Sequence, residues 1–278
     1  NFAVQCAKDA FPAWSSTSVV KRSRVMAKFT QLLYQHHDEL AQLVSQEHGK
    51  TIEDAKGSVQ RGIEVAEFAM GIPHLQKGEF SDNVASGIDI YSMRKPLGVV
   101  VGITPFNFPA MIPLWMAAMA VATGNVIILK PSEKTPSCSL RMAELFIEAG
   151  GPSGVLNILH GDREAVESLI SHPDVKAVSF VGSTAIAKSV YQTSTANGKR
   201  CQAMGGAKNH MLVLPDADLD NVANALMGAA YGSAGERCMA ISVAVAIGDD
   251  VADRLVDKLT PMVKGLKIGT SLQTGLEM

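Results

Sequence analysis

No stretch of this chain is apolar for long enough to cross a bilayer. The longest candidate, Ala110 to Ala122, contains Pro113 and falls short of the roughly 18 to 20 residues that a spanning helix needs, so no membrane partner is expected. An excess of one charge is also missing: 25 lysines and arginines face 27 aspartates and glutamates, leaving a net charge of −2. With the signs interspersed there is no basic stripe for nucleic acid and no polybasic surface for anionic lipid. Cysteine is scarce. Cys6, Cys138, Cys201 and Cys238 have no paired spacing, which argues against a disulfide frame or zinc site and for reduced thiols in a reducing compartment, the cytoplasm or, in a eukaryote, the mitochondrial matrix. The seven histidines show no metal-ligand spacing, and no metal is expected; His36-His37 lie in a polar helical stretch and read as solvated.

What is present is enough apolar material for a globular protein. At 47% hydrophobic and 19% charged over 278 residues, the chain can bury one large core or two smaller ones. Both ends read as cut: the chain opens on Asn1 already in a helical pattern and stops at Met278 shortly after the loop-like Gly269-Thr270-Ser271. No targeting peptide can be judged from such a start.

Helical spacing of Val20, Val25, Met26, Phe29, Leu32, Leu33, Leu40, Leu43 and Val44 predicts helix from about Thr17 to Gly49, broken near His37-Asp38, and a second helix runs from Ile52 to Phe68 and beyond. Between Ser81 and Lys95 the pattern alternates, with Gly87 at mid-run, and predicts a protruding two-stranded hairpin with one apolar face for subunit contact. From Gly98 strand, turn and helix repeat. Val99–Ile103, Val126–Leu129, Val155–Leu159 and Ala177–Val181 are strands; Pro109–Val121, Pro136–Ala149, Arg163–Ser171 and Thr184–Thr195 are the helices after them. Continuously apolar strands between helices predict a parallel sheet covered on both faces. After Lys208 a second α/β unit begins: strand Met211–Leu214, helix Asp218–Ala230, a loop holding Cys238, strand Val243–Ile247 and helix Val251–Lys264.

Parallel sheets of this kind bind ligands beyond the carboxyl ends of their strands, and the residues there carry chemistry. Asn107 lies between two aromatics and two prolines. Its amide is either a donor to a developing oxyanion, a role that contributes roughly 3 to 4 kcal/mol together with a backbone N–H, or a maker of local turn bonds. Lys130 ends a buried strand with Glu133 close by, suited to ribose hydroxyls or simply reaching solvent. Gly182-Ser183 enters a helix whose free N–H groups attract pyrophosphate, although the three-glycine dinucleotide fingerprint is missing. Cys238, in Gly235-Glu236-Arg237-Cys238-Met239-Ala240, sits on a tight connection where a neighbouring cation would favour the nucleophilic thiolate; the competing reading is the small buried hydrophobe that a lone thiol commonly is.

In this order the features resemble the aldehyde dehydrogenase superfamily over nearly the whole chain, Asn1 to about Thr270. Gln202-Ala203-Met204-Gly205-Gly206-Ala207-Lys208-Asn209-His210 together with the Cys238 motif is closely similar to the CoA-acylating methylmalonate-semialdehyde dehydrogenases. The resemblance implies an NAD-binding domain over residues 1–80 and 96–206, an oligomerisation hairpin over 81–95 and the incomplete start of an α/β catalytic domain over 207–278. It implies Cys238 as nucleophile, Asn107 in the oxyanion hole, and NAD contacts at Thr104, Phe106, Lys130, Glu133, Lys134 and Ser183. Arg61 and Arg237 become the clamp for a substrate carboxylate, a role guanidinium fills bidentately; a surface ion pair for Arg61 and a structural or thiolate-tuning role for Arg237 are the competing readings. Family members continue past this end with a second ribose-binding glutamate and a strand that pairs with a partner's hairpin, which implies a homo-oligomer, dimer or tetramer.

One departure carries mechanism. Hydrolytic members hold a glutamate that activates water where this sequence has Met204, and Met accepts no proton. A thioester on Cys238 should therefore persist until a CoA thiol removes it. The resemblance implies oxidative decarboxylation of methylmalonate or malonate semialdehyde to propionyl-CoA or acetyl-CoA, with NAD as hydride acceptor. The alternatives are a hydrolytic aldehyde dehydrogenase, against which Met204 argues, and a truncated non-catalytic NAD-binding relative.

Overall fold

The computed structural model describes residues 1–270 and 273–278; Ser271 of the closing loop-like stretch lies outside the described residues. Helices α1 (Phe2–Ser16), α2 (Val19–Gln35), α3 (His37–His48), α4 (Ile52–Met70) and the single turn α5 (Ile72–Leu75) come first. Ser18 and Thr51 cap α2 and α4 by accepting the N–H of Lys21 and Asp54, and Gly49 ends α3 with φ 94°. The expected break falls between α2 and α3. His36 and His37 flank it half-buried rather than solvated: His36 Nδ1 contacts Glu39, and His37 Nε2 lies 3.1 Å from the Lys56 carbonyl.

The hairpin is formed by β1 (Phe80–Ala85) and β2 (Ile88–Tyr91), antiparallel, with every residue exposed, including Phe80, Val84, Ile88, Ile90 and Tyr91. Then follow β3 (Val99–Ile103), α6 (Met111–Ala122), β4 (Val126–Lys130), α7 (Ser137–Glu148), β5 (Leu156–Ile158), α8 (Arg163–Ser171), β6 (Val175–Val181), α9 (Thr184–Ala196) and β7 (Arg200–Met204). These five strands form one parallel sheet in the order β5-β4-β3-β6-β7. The fifth, β7, is not announced by a continuous apolar run. It is an edge strand whose residues alternate between exposed and half-buried, so its sequence mixes Arg200 and Gln202 with Cys201 and Ala203.

The chain order reverses at β3: β4 and β5 build outward on one side, β6 and β7 on the other. The crevice at the carboxyl ends of β3 and β6 is therefore the switch point at which open α/β sheets take ligands. Beneath it, Phe29 and Trp14 meet the edge of Phe146 at centroid distances of 5.6 and 6.4 Å, and the Trp14 indole N–H donates to the Val121 carbonyl. Helix α4 packs closely on α6 because Gly62 has no side chain; a Cβ there would lie 2.8 Å from Leu114 Cδ1 and 3.1 Å from Met111 Cα. That approach brings the polar face of α4 beside the loop that carries Cys238.

The second unit pairs β8 (Asn209–Val213) in parallel with β9 (Ile241–Ala246), carries α10 (Leu219–Leu226) and α11 (Asp249–Lys264), and has its own small core of Val213, Leu219, Ala223, Leu226, Val251 and Leu255. The expected helix to Ala230 gives way at Met227 to a wider π turn and then to a 3-10 turn, Gly232–Gly235. No helix among the described residues is long and apolar enough to cross a membrane.

Candidate active site

The loop after β3, residues 104–109, and the loop before β9, residues 232–240, face each other across the switch point. They line a cavity of about 620 Å³ that includes Thr104, Phe106, Asn107, Lys130, Glu133, Ser183, Arg237 and Cys238. The two loops are tied directly. Asn107 Nδ2 donates to the Glu236 carbonyl at 2.9 Å, which places its amide two residues from the thiol and leaves its second N–H for another acceptor. On the far side, Asn209 Nδ2 donates to the carbonyls of Cys238 and Ala240, both at 3.0 Å, so the exposed Cys238 is carried on backbone pinned from both ends.

The approach to Cys238 runs through an unusual turn. Ser233, Ala234 and Gly235 have φ of 55°, 53° and 72°, three consecutive residues in the left-handed region, which only glycine occupies without cost. Ser233 Oγ is buried there without a hydrogen-bond partner.

The other wall is built from strand ends. Lys130 is buried, and its Nζ donates to the Gly161 carbonyl at 2.8 Å and to Glu133 Oε2 at 3.2 Å. Glu133 is held below its ordinary carboxylate range, first by its own backbone N–H and then by Lys130. Lys134 does not line the cavity but holds its ammonium 5.1 Å from the centre of the Phe106 ring. Ser183 precedes α9 without a side-chain cap, and no acidic residue lies in that first turn. A Cβ at Gly205 would come 3.0 Å from Thr184 Oγ1, so the second glycine-bearing loop lies against the same helix start. Free N–H groups, a buried lysine and backbone bare of side chains suit a dinucleotide's phosphates and ribose.

Arg61 lines an adjoining cavity with Asp54, Ser58, Phe108, Met111, Trp115, Arg237, Cys238 and Met239. Cys238 and Arg237 are thus shared by two cavities that meet at the thiol, one lined by the strand ends and the start of α9, the other by apolar side chains and two guanidinium groups. Met204 belongs to neither. The resemblance puts it where hydrolytic members hold the glutamate that activates water against the thioester, yet its half-exposed side chain lines a third cleft with Trp115, Met116 and Val181. Only its carbonyl, which accepts the Gly182 N–H at 3.1 Å, borders the crevice, because the strand pleat sends side chain 204 along the sheet face while Gly205 and Gly206 meet the cavity.

Three residues that the sequence did not single out complete the site. Lys50 is buried; its Nζ donates to the Asn107 carbonyl at 2.9 Å and lies 4.3 Å from the centre of the Phe108 ring. Burial lowers its pKa, with Asp54 working in the opposite sense. His48 stacks on Phe106 at 5.8 Å and 17°. Burial, and then the Lys50 charge, lower its pKa to about 4. Its Nε2 is 3.2 Å from Glu236 Oε2, a contact without hydrogen-bond alignment to a half-exposed carboxylate, so desolvation prevails over attraction. Asp54 Oδ1 pairs with Arg237 Nη2 at 2.8 Å.

Comparison with known proteins places this geometry. The aldehyde dehydrogenase family model matches residues 1–278. The chain is 59% identical over 276 residues to malonate-semialdehyde dehydrogenase of Pseudomonas aeruginosa, covering 99% of this chain and 56% of that protein. A Sinorhizobium meliloti protein crystallised with NAD superposes with a TM-score of 0.97 at 59% identity over 99% of this chain and 56% of its own. The methylmalonate-semialdehyde dehydrogenase of Oceanimonas doudoroffii does so with the same score at 57% identity and the same coverage. The chain spans a little over half the length of these relatives. A family model matched from end to end, on a fold whose switch-point crevice carries the cysteine and asparagine loops, leads to one conclusion: the chain belongs to the aldehyde dehydrogenase family.

Proposed function

We propose that the protein is an NAD-dependent, CoA-acylating semialdehyde dehydrogenase acting on malonate or methylmalonate semialdehyde. The observation that carries this reading is the cavity in which Cys238 lies with Arg237 and Arg61 against Phe108, Met111, Trp115 and Met239. Two guanidinium groups beside a nucleophile suit a short aldehyde that ends in a carboxylate. The relatives named malonate- and methylmalonate-semialdehyde dehydrogenase support the same substrate class.

In this reading residues 1–80 and 96–206 bind NAD, 81–95 serve homo-oligomer contact, and 207–278 belong to the catalytic domain. Thr104, Phe106, Lys130, Glu133, Lys134 and Ser183 would hold the dinucleotide, which when bound supplies the hydride acceptor. The Cys238 thiolate adds to the aldehyde carbon, forming the C–S bond, while the Asn107 amide and a backbone N–H hold the oxyanion. Loss of hydride from that carbon leaves a thioester on Cys238. The carboxylate β to the thioester departs as CO2, its electron pair passing into the thioester carbonyl, and a proton then returns to the α-carbon. A CoA thiol displaces Cys238 and carries away the acetyl or propionyl group.

Water competes at the last step and needs a base. Glu133 is held by Lys130 and side chain 204, a methionine, lies in another cleft; Glu236, half-exposed and without an aligned hydrogen bond to His48, is the carboxylate whose reach the CoA dependence tests. The test is steady-state NADH formation by the whole protein carrying this sequence, with malonate semialdehyde, in the presence and absence of CoA. Turnover should depend on CoA and yield acetyl-CoA. Equal rates in both conditions, with free acid as product, would assign it to the hydrolytic members; no turnover with intact NAD binding would make it a non-catalytic relative.

A further inference from the structure

Asp54, Ser58 and Arg61 recur at helical spacing and line one cavity, so a single face of α4 presents a carboxylate and, about 10 Å further along its axis, a guanidinium. The two arginines around Cys238 are therefore not equivalent. Arg237 gives Nη2 to Asp54 at 2.8 Å and Nη1 to the Gly228 carbonyl at 3.3 Å. Arg61 is exposed and takes part in no ion pair among the described residues. The second oxygen of Asp54, Oδ2, is buried without a hydrogen-bond partner, so its charge depends on Arg237, as Arg237's orientation depends on it.

We infer that Asp54 is a specificity-determining positioning residue: by holding Arg237 against the start of α4, it fixes one guanidinium as a directional donor and leaves one uncompensated positive charge, matched to an aldehyde bearing a single carboxylate. The inference rests on the reading of Arg61 and Arg237 as carboxylate contacts. Without Asp54 the guanidinium of residue 237 keeps only its long bond to the Gly228 carbonyl and can turn away from the thiol, so a carboxylate substrate loses its fixed partner while an uncharged aldehyde loses little.

The test compares kcat/KM for malonate semialdehyde and for propanal, which has the same carbon count and no carboxylate, in the whole enzyme as wild type, Asp54→Asn and Asp54→Glu. Asp54→Asn should cut the preference for the semialdehyde at least tenfold, mainly through KM. Asp54→Glu, which keeps the charge but displaces it by one methylene, should cut it several-fold and carries the test alone if the asparagine variant does not fold. A wild type that does not prefer the semialdehyde would sink the carboxylate reading itself. A wild-type preference retained in full by both variants would overturn this inference alone, and so would an equal loss for both substrates, the signature of a merely structural residue.

Discussion

Replacing His48 with phenylalanine should change how stability depends on acid, not only how large it is. The His48 side chain is only 3% exposed, and its pKa falls from 6.5 to about 4. Between those two values the unfolded chain binds a proton that the folded protein refuses, so stability rises with pH through this window and is lost as pH falls from 6.5 towards 4. At 1.4 kcal/mol for each tenfold change in acidity, the loss is about 3 kcal/mol. Phenylalanine keeps an aromatic face for Phe106 and cannot titrate. It also removes the acceptor for the Lys50 N–H, now 3.2 Å from His48 Nδ1, which costs about 1 kcal/mol at any pH. The variant should therefore be weaker than wild type by about 1 kcal/mol at pH 7 and stronger by about 2 kcal/mol near pH 4, the curves crossing near pH 6. Urea unfolding followed by the fluorescence of Trp14, buried in the core that α3 helps to close, reads this directly. Parallel curves from pH 7 to 4 would show that His48 takes up its proton without cost and would refute the argument from burial.

Three further outcomes are expected. Asn107→Ala should lower kcat by about 100- to 1000-fold with KM for NAD little changed; a loss under tenfold, measured by steady-state NADH formation, would remove Asn107 from the oxyanion hole. Met204→Glu should raise CoA-independent turnover by less than tenfold, since side chain 204 leaves the sheet towards Trp115; a hundredfold gain would show that it reaches the thioester. The proposed homo-oligomer contact through the hairpin predicts that Ile88→Lys with Ile90→Lys lowers the sedimentation coefficient in sedimentation velocity while the fold is kept, because neither residue is buried within the chain; an unchanged sedimentation coefficient would remove the hairpin from subunit contact.

Strands β3, β4 and β6 are legible in the sequence because both faces of a central parallel strand are covered, which leaves a continuous apolar run. Of the two edge strands, β5 is read from the apolar residues on either side of Asn157, whereas β7 alternates exposed and half-buried residues and so mixes Arg200 and Gln202 into its run. The same contrast governs the site. Asn107, Lys130 and Ser183 are found from their places at strand ends, and topology alone then brings them together. Lys50 and His48 escape notice, since a charged turn between two helices reads as solvated; what buries them is the loop after β3, more than 50 positions away in sequence. Met204 misleads for a local reason. The motif fixes its position along β7, but the pleat decides which cleft its side chain enters.

The left-handed run at Ser233, Ala234 and Gly235 has a consequence for how this protein tolerates change. Each non-glycine residue there costs on the order of 1 kcal/mol, and no bond from Ser233 Oγ offsets it. A saturation library should thus accept glycine and asparagine at both positions and reject valine, isoleucine and threonine, whose branched side chains fit this conformation worst. The permitted substitutions would quieten the loop. Its amides should exchange with solvent ahead of those in β8 and β9 in the native sequence, and more slowly once glycine relieves the turn. Cys238 is already exposed, so what the handedness of these three residues would set is how rigidly the backbone before the thiol is held.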